Sequence, residues 1–124
     1  MDIAQREIRG VTVLDLAGRF VLEDGVPQFV ERMNALARDG RKRILLNFEQ
    51  VTYLDSAGVG AIAWKYVTAL KRDGHVKLLN LHPRSHTVLK TTKLLTVLQA
   101  FESEDAAIAS FAEQEDEDYN PIFT

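Results

Sequence analysis

The chain has 124 residues, enough for one hydrophobic core and too few for two ordinary domains. Residues are 46% hydrophobic and 27% charged, as in a globular protein, and the absence of cysteine excludes disulfides, thiolate zinc sites and cysteine nucleophiles. The net charge of −3 gives no electrostatic argument for direct nucleic-acid binding. The sequence has no signal-peptide pattern and no apolar run long enough to span a bilayer, so we expect a cytoplasmic protein that does not insert into membranes.

The chain begins with a pattern typical of a β-hairpin. Residues 3–7 alternate weakly in polarity, and in residues 11–17 Val11 and Val13 would face one side while Leu14 and Leu16 face the other; with Gly10 as the turn, this predicts two antiparallel strands. The second strand should end at Gly18, and residues 20–25 should form a loop.

A helix and a central strand are predicted next. Apolar residues at helical spacing predict a helix over residues 26–38, with Pro27 suited to its first turn. Residues 44–48 form a nearly continuous apolar run, typical of a strand that is covered on both faces.

The second half of the chain continues the alternation of helices and strands. A helix is expected over residues 57–72, followed by a strand over residues 76–81. A third helix over residues 84–92 and a short strand over residues 97–101 come next. The buried stripe of the helix over residues 57–72 is predicted at Val59, Ile62, Ala63, Tyr66, Val67 and Leu70.

The last predicted helix covers residues 103–111, and an acidic segment follows it. Five of the six residues from 113 to 118 are acidic, so we expect a single domain over residues 1–112 and a flexible tail over residues 113–124. The predicted order is β-β-α-β-α-β-α-β-α. This order predicts an α/β fold with a small, mixed but mostly parallel sheet and helices packed on it.

The stretch from Leu54 to Gly60 lies where the central strand gives way to a helix. Backbone N–H groups and the positive end of the helix dipole make such a corner an anion site, and Ser56 occupies it. Gly58, Gly60 and Ala63 match a relaxed dinucleotide-binding pattern. We reject that function because six residues separate Phe48 from the corner and no acidic residue follows at the required distance.

Two further interpretations concern Ser56 alone. A hydrolase with a serine nucleophile would need glycine where Leu54 stands, and nothing marks His75, His82 or His86 as its base; we expect surface histidines. Alternatively, Asp55 or Ser56 only caps the helix. Capping leaves two glycines in the first turn unexplained, since each costs up to about 1 kcal/mol relative to alanine.

The sequence Asp55-Ser56-Ala57-Gly58-Val59-Gly60, together with the element order over about residues 1–112, resembles the signature of STAS domains. More narrowly, it is similar to the bacterial anti-sigma factor antagonists. The resemblance implies a small monomeric domain, without enzymatic activity or a cofactor, that binds an anti-sigma factor serine kinase. The kinase would supply ATP and metal and phosphorylate Ser56, which releases the domain, and a metal-dependent serine phosphatase would restore it.

The residues expected to contact the partner lie in the matching motif and in the loop before the first helix. They are Asp55, Ala57, Gly58, Gly60, Glu23 and Asp24, and Trp64 is added because of its position on the helix after the motif. Trp64 has two interpretations: it flanks the surface around Ser56, or it folds over a neighbouring element and is mostly buried.

Three positions depart from the family pattern. Val21 replaces an acid of the loop, although Glu23 and Asp24 follow; Asn47 replaces an aspartate at the end of the central strand; and Thr92-Lys93 stands where the third helix normally ends near a glycine. These departures concern the identity of the partner. The alternative function is therefore a STAS scaffold or accessory subunit of another signalling or transport complex, in which Ser56 is only a helix cap.

Overall fold

The computed structural model describes the backbone of residues 1–118 and the side chains of residues 1–112. Within these residues five strands form one mixed sheet, and its strand order is β1-β2-β3-β4-β5. The strands are β1 (Asp2–Ile8), β2 (Val11–Phe20), β3 (Arg43–Leu54), β4 (His75–Leu79) and β5 (Ala100–Phe101). The helices are α1 (Val26–Arg38), α2 (Ser56–Leu70), α3 (Pro83–Thr91) and α4 (Glu104–Asp118). β1 pairs antiparallel with β2 and the other pairs are parallel, which confirms the predicted α/β class.

The sheet carries a hydrophobic cluster on each face. Along β2, Leu14 and Leu16 face the larger cluster, whereas Val11 and Val13 face the smaller one, as the alternation of the sequence predicts. The larger cluster includes buried residues of α1, α2 and α3, and the smaller one includes buried residues of α4. β3 contributes to both clusters, so the prediction of a strand covered on both faces is confirmed.

β2 and β3 are longer than predicted. β2 continues through Gly18 to Phe20, because Gly18 pairs with Val51 and Phe20 pairs with Leu54 of β3. Phe20 is fully buried, so the loop predicted over residues 20–25 begins one residue later. Pairing between distant strands sets these ends, and local composition does not reveal it.

The buried side of α2 differs from the predicted stripe. Val67 and Leu70 are exposed, whereas Ala61 and Lys65 are buried and Ala69 packs against the larger cluster. The buried side is turned toward Ala61, Lys65 and Ala69 because α2 packs against α1 as well as against the sheet. Helical spacing gives the period of a buried stripe, but the neighbouring helix decides its direction.

The segment after α3 also differs from the prediction. The strand expected over residues 97–101 is reduced to Ala100–Phe101, and a single 3-10 turn (Leu94–Thr96) precedes it. Lys93 has a φ of 64°, the left-handed conformation that a glycine normally provides after a helix. The lysine therefore fulfils the backbone role of the missing glycine.

The last helix passes its predicted end. α4 reaches Asp118 rather than residue 111, so the backbone of the acidic segment is helical at residues 113–118. Residues 119–124 lie outside the described part, and the division into a domain and a flexible tail stays a prediction.

Candidate functional site

A single residue connects β3 to α2. Leu54 ends the strand, Ser56 begins the helix, and Asp55 lies between them in an extended conformation. One carboxylate oxygen of Asp55 accepts a hydrogen bond from the Gly58 N–H at 2.9 Å, and the other accepts one from the Leu22 N–H at 3.3 Å. Asp55 is therefore the helix cap, and of the two residues considered for that role it is Asp55, not Ser56, whose side chain caps α2.

Ser56 presents its hydroxyl to solvent. Its side chain is exposed and forms no hydrogen bond with the part of the chain that the structure describes. The backbone N–H groups of Ser56 and Ala57 likewise donate to no described residue. Together with the helix dipole, these groups favour negative charge at this position. A phosphate on Ser56 is compatible with the fold.

The loop between β2 and α1 lies beside this corner. The Val21 N–H donates to the Asp24 carbonyl at 2.7 Å, which closes a tight turn. Gly25 completes the turn at a φ of 104°, where a Cβ would lie 2.6 Å from the Arg19 carbonyl oxygen. The hydrogen bond from Leu22 to Asp55 therefore holds a rigid turn against the start of α2.

The two acids of the loop are in different environments. Glu23 is exposed. Asp24 forms an ion pair with the ammonium group of Met1, and this hydrogen bond holds the pKa of the Asp24 carboxyl below its ordinary value. The loop that carries both acids is joined to the corner by the hydrogen bond from Leu22 to Asp55, and Leu22 itself is 62% exposed.

The two glycines of the first turn have different roles. Gly58 is buried, and a Cβ there would lie 2.6 Å from the Phe20 carbonyl oxygen and 2.7 Å from Leu54 Cδ1. Gly60 is exposed, with nothing within 4 Å of such an atom. Gly58 therefore allows α2 to pack against the end of β2, and its burial does not support the predicted contact with a partner; Gly60 leaves open surface.

The corner follows β3 directly, so the expected gap before the glycines is wrong. β3 runs to Leu54, so no gap of six residues separates the strand from the corner. Two features still oppose a dinucleotide site: no acidic residue stands at the required distance, and the space beside Gly58 is filled by the protein's own Phe20 and Leu54.

Trp64 lies on the solvent side of α2. Its side chain is 57% exposed, so the interpretation that it is mostly buried is wrong. It stands eight residues after Ser56, about 12 Å along the helix axis. An exposed indole on the same helix as the exposed hydroxyl is suited to protein contact.

Asn47 belongs to a polar cluster with Asp15, Asn80 and Arg6. Its Nδ2 donates to Asp15 at 2.8 Å, and its Oδ1 accepts from the Glu49 N–H at 3.1 Å and from Asn80 at 3.2 Å. Arg6 donates to both carboxylate oxygens of Asp15, at 2.6 and 2.9 Å. An aspartate at position 47 could not donate to Asp15, so the asparagine fits this particular cluster.

Val21, the other departure in the loop, is buried at 7% exposure. Its carbonyl accepts a hydrogen bond from the Val26 N–H at 3.1 Å. The side chain therefore lies inside the protein while the backbone closes the turn, and Glu23 supplies the exposed negative charge of the loop.

Within the described residues no histidine forms a hydrogen bond with Ser56. His82 and His86 are exposed, and His82 Nε2 lies 2.5 Å from the Glu49 carbonyl oxygen. Within residues 1–112 no group of three or more His, Asp or Glu side chains is placed to hold a metal ion. Every helix in the described part of the chain is too short or too polar to span a bilayer.

Sequence reasoning missed three residues of this region. Leu22 and Tyr53 are exposed apolar side chains beside the corner, and Lys65 is buried in α2 next to Trp64. Tyr53 could have been found from its place directly before the corner. The sequence alone does not reveal that Leu22 is exposed or that Lys65 is buried, because the loop determines the first and α1 determines the second.

Comparisons with known proteins agree with this fold. The model of the STAS domain family matches residues 2–107. An anti-sigma F factor antagonist of Paenibacillus polymyxa is 21% identical over 108 residues, which are 87% of this chain and 92% of the relative. The solved Bacillus cell-fate determinant SpoIIAA, in its phosphorylated form, has a TM-score of 0.70 at 23% identity, covering 89% of this chain and 99% of that one. A solved anti-sigma factor antagonist of Mycobacterium paratuberculosis has a TM-score of 0.78 at 17% identity, covering 88% and 92%.

Proposed function

Because this chain belongs to the STAS domain family, we propose that it is a cytoplasmic anti-sigma factor antagonist that binds an anti-sigma factor serine kinase. In this proposal Ser56 is the phosphoacceptor, and the domain acts as a regulatory binding module without catalysis of its own. The kinase brings ATP and metal, and a metal-dependent serine phosphatase reverses the modification.

The observation that carries the proposal is the exposed, unpaired hydroxyl of Ser56 at the first position of α2. Capping is done by Asp55, so the fold makes no use of the hydroxyl. A kinase can reach this group without unfolding the helix. A solved relative of the same fold is a phosphorylated form.

Phosphorylation changes the surface more than the fold. A phosphate adds about −1.5 to −2 charges and three acceptor oxygens at pH 7. The N–H groups at the start of α2 accommodate it, whereas a partner surface that fits a neutral hydroxyl would have to bury a dianion. Weakening a complex a hundredfold needs only about 2.7 kcal/mol, which one buried, unpaired charge supplies.

The proposal is tested by incubating the protein with each anti-sigma factor kinase of the same organism and Mg-ATP. Intact mass should increase by one phosphate in the wild type and not in Ser56→Ala. Unmodified protein should bind the kinase, and the phosphorylated form should not. Binding that is the same before and after modification, or the absence of phosphate uptake with every kinase, would favour a constitutive scaffold subunit instead.

A further inference from the structure

A second region of interest is a cavity of about 490 Å³ between the C-terminal halves of α1 and α2. Its wall contains five basic side chains and no carboxylate. The basic residues are Arg38, Arg41, Lys42, Lys65 and Arg72. Met33, Ala37, Ile44 and Ala69 supply the apolar part of the lining. For a chain of net charge −3, this is a concentrated positive site.

Lys65 is the most unusual of these residues, because only 6% of it is exposed. Its Nζ donates to Asn34 Oδ1 at 2.5 Å and lies 4.0 Å from the centre of the Trp64 ring. Both partners are neutral. Burial, and then the positive charge of Arg72, lower the pKa of the Lys65 ammonium. A buried cation with only neutral partners is costly for a protein, and an anion would remove that cost.

The ends of the helices explain part of the positive charge. Arg72 Nη1 donates to the Ala37 carbonyl oxygen at 3.4 Å, and Arg38 lies in the last turn of α1, where cations are favoured. Arg41 pairs with Glu7 at 3.3 Å. This explanation does not extend to Lys65, which lies inside α2 before its last turn.

We propose that the cavity binds a small organic anion that carries phosphate or carboxylate groups. The oxyanion would be held by Lys65 Nζ together with the guanidinium groups of Arg38 and Arg72. Arginine forks suit both kinds of oxyanion, and the apolar lining has room for the rest of a small molecule. A bare inorganic ion would leave most of the cavity empty.

This site is separate from Ser56. The two lie toward opposite ends of α2, a helix of 15 residues that is about 22 Å long. Ser56 is not among the groups proposed to hold the anion, so binding can be measured on the unphosphorylated protein, and either proposal can fail without the other.

The test is isothermal titration calorimetry of the whole protein at fixed ionic strength. The probes are pyrophosphate, inorganic phosphate and citrate, with sodium chloride as the control for general screening. We expect saturable binding of pyrophosphate or citrate and weaker binding of phosphate. Tighter binding of pyrophosphate would identify phosphate as the preferred group, and tighter binding of citrate would identify carboxylate. Trp64, the one tryptophan of the chain, should change its fluorescence in the same titration because its ring contacts Lys65.

Three variants complete the test. Lys65→Gln and Arg72→Gln should each weaken binding about tenfold or more. Arg84→Gln, which removes an exposed arginine of α3 outside the cavity, should leave it unchanged. If Lys65→Gln does not fold, Arg38→Gln takes its place. Heats equal to those of sodium chloride for all three probes would overturn the proposal, and so would equal weakening by Arg84→Gln.

Discussion

The carboxylate of Asp55 accepts a hydrogen bond from the backbone N–H of Leu22 at 3.3 Å, which joins the turn after β2 to the start of α2. The same carboxylate caps the helix through Gly58. The exposed side chains of Leu22 and Ser56 are thus held on one surface by one aspartate. A partner that binds this surface meets a preformed arrangement, which reduces the entropy lost on binding.

The first prediction concerns Asp55. Asp55→Ala removes both hydrogen bonds and should lower the free energy of unfolding by about 1–2 kcal/mol. Asp55→Asn is the matched control, because its amide oxygen can still accept from Gly58, and it should lose less than half as much. Urea denaturation measures both variants. Equal losses would show that charge, rather than the hydrogen bonds, carries the effect.

The second prediction separates the two glycines of α2. Gly58→Ala places a methyl group against Phe20 and Leu54 and should destabilise the protein by about 1–3 kcal/mol. Gly60→Ala meets open space and should stabilise it by up to about 1 kcal/mol. Thermal unfolding of the two variants should therefore shift in opposite directions. A gain in stability for Gly58→Ala would contradict the close packing described above.

The third prediction concerns Trp64. If the kinase binds the exposed side of α2 as proposed, Trp64→Ala should weaken its binding by about 1–2 kcal/mol, because an exposed indole on the same helix as Ser56 is suited to protein contact. The melting temperature should change little, since the side chain is 57% exposed. Trp64→Phe retains an aromatic ring and should recover much of the affinity. A large loss of stability with unchanged binding would show that the indole serves the fold instead.

The fourth prediction concerns pH. Hydrogen bonds from Arg6, and then from Asn47, hold the pKa of Asp15 below its ordinary value of 3.8. Because the unfolded chain binds this proton more readily, the stabilisation is present above pH 3.8 and is lost as the pH falls through the lower pKa of the folded state. Arg6→Met should therefore lower stability at pH 7 and reduce the loss on acidification. Urea denaturation between pH 7 and pH 3 measures the difference.

Asn47→Asp provides a second test in the same cluster, because it adds an acid instead of removing the base. A second carboxylate replaces the amide that donates to Asp15 at 2.8 Å, so one of the two acids should have a raised pKa. This variant should be less stable than the wild type at pH 7, and the difference should shrink as the pH falls. A variant as stable as the wild type at pH 7 would show that Arg6 alone can neutralise both acids.

The sequence by itself determined the order of helices and strands, the two faces of β2 and the strand-to-helix corner at Ser56. These features are local. Alternating side chains on a strand point to opposite faces, so Val13 and Leu14 could be assigned from the pattern alone. The sequence from Asp55 to Gly60 likewise carried the family resemblance without any knowledge of its surroundings.

Only the tertiary structure decided why Gly58 must be glycine, where β2 ends and that Lys65 is buried. Glycine is required at position 58 because Phe20, which is 38 residues earlier in the chain, lies where a side chain would be. The end of β2 depends on its pairing with the extended β3. The environment of the Lys65 ammonium depends on Asn34 of the neighbouring helix, which accepts its hydrogen bond. Each is a contact between residues distant in sequence. The local sequence pattern shows whether a segment has the period of a helix or of a strand. The neighbours against which that helix or strand packs determine its length, its buried side and the charges that it must neutralise.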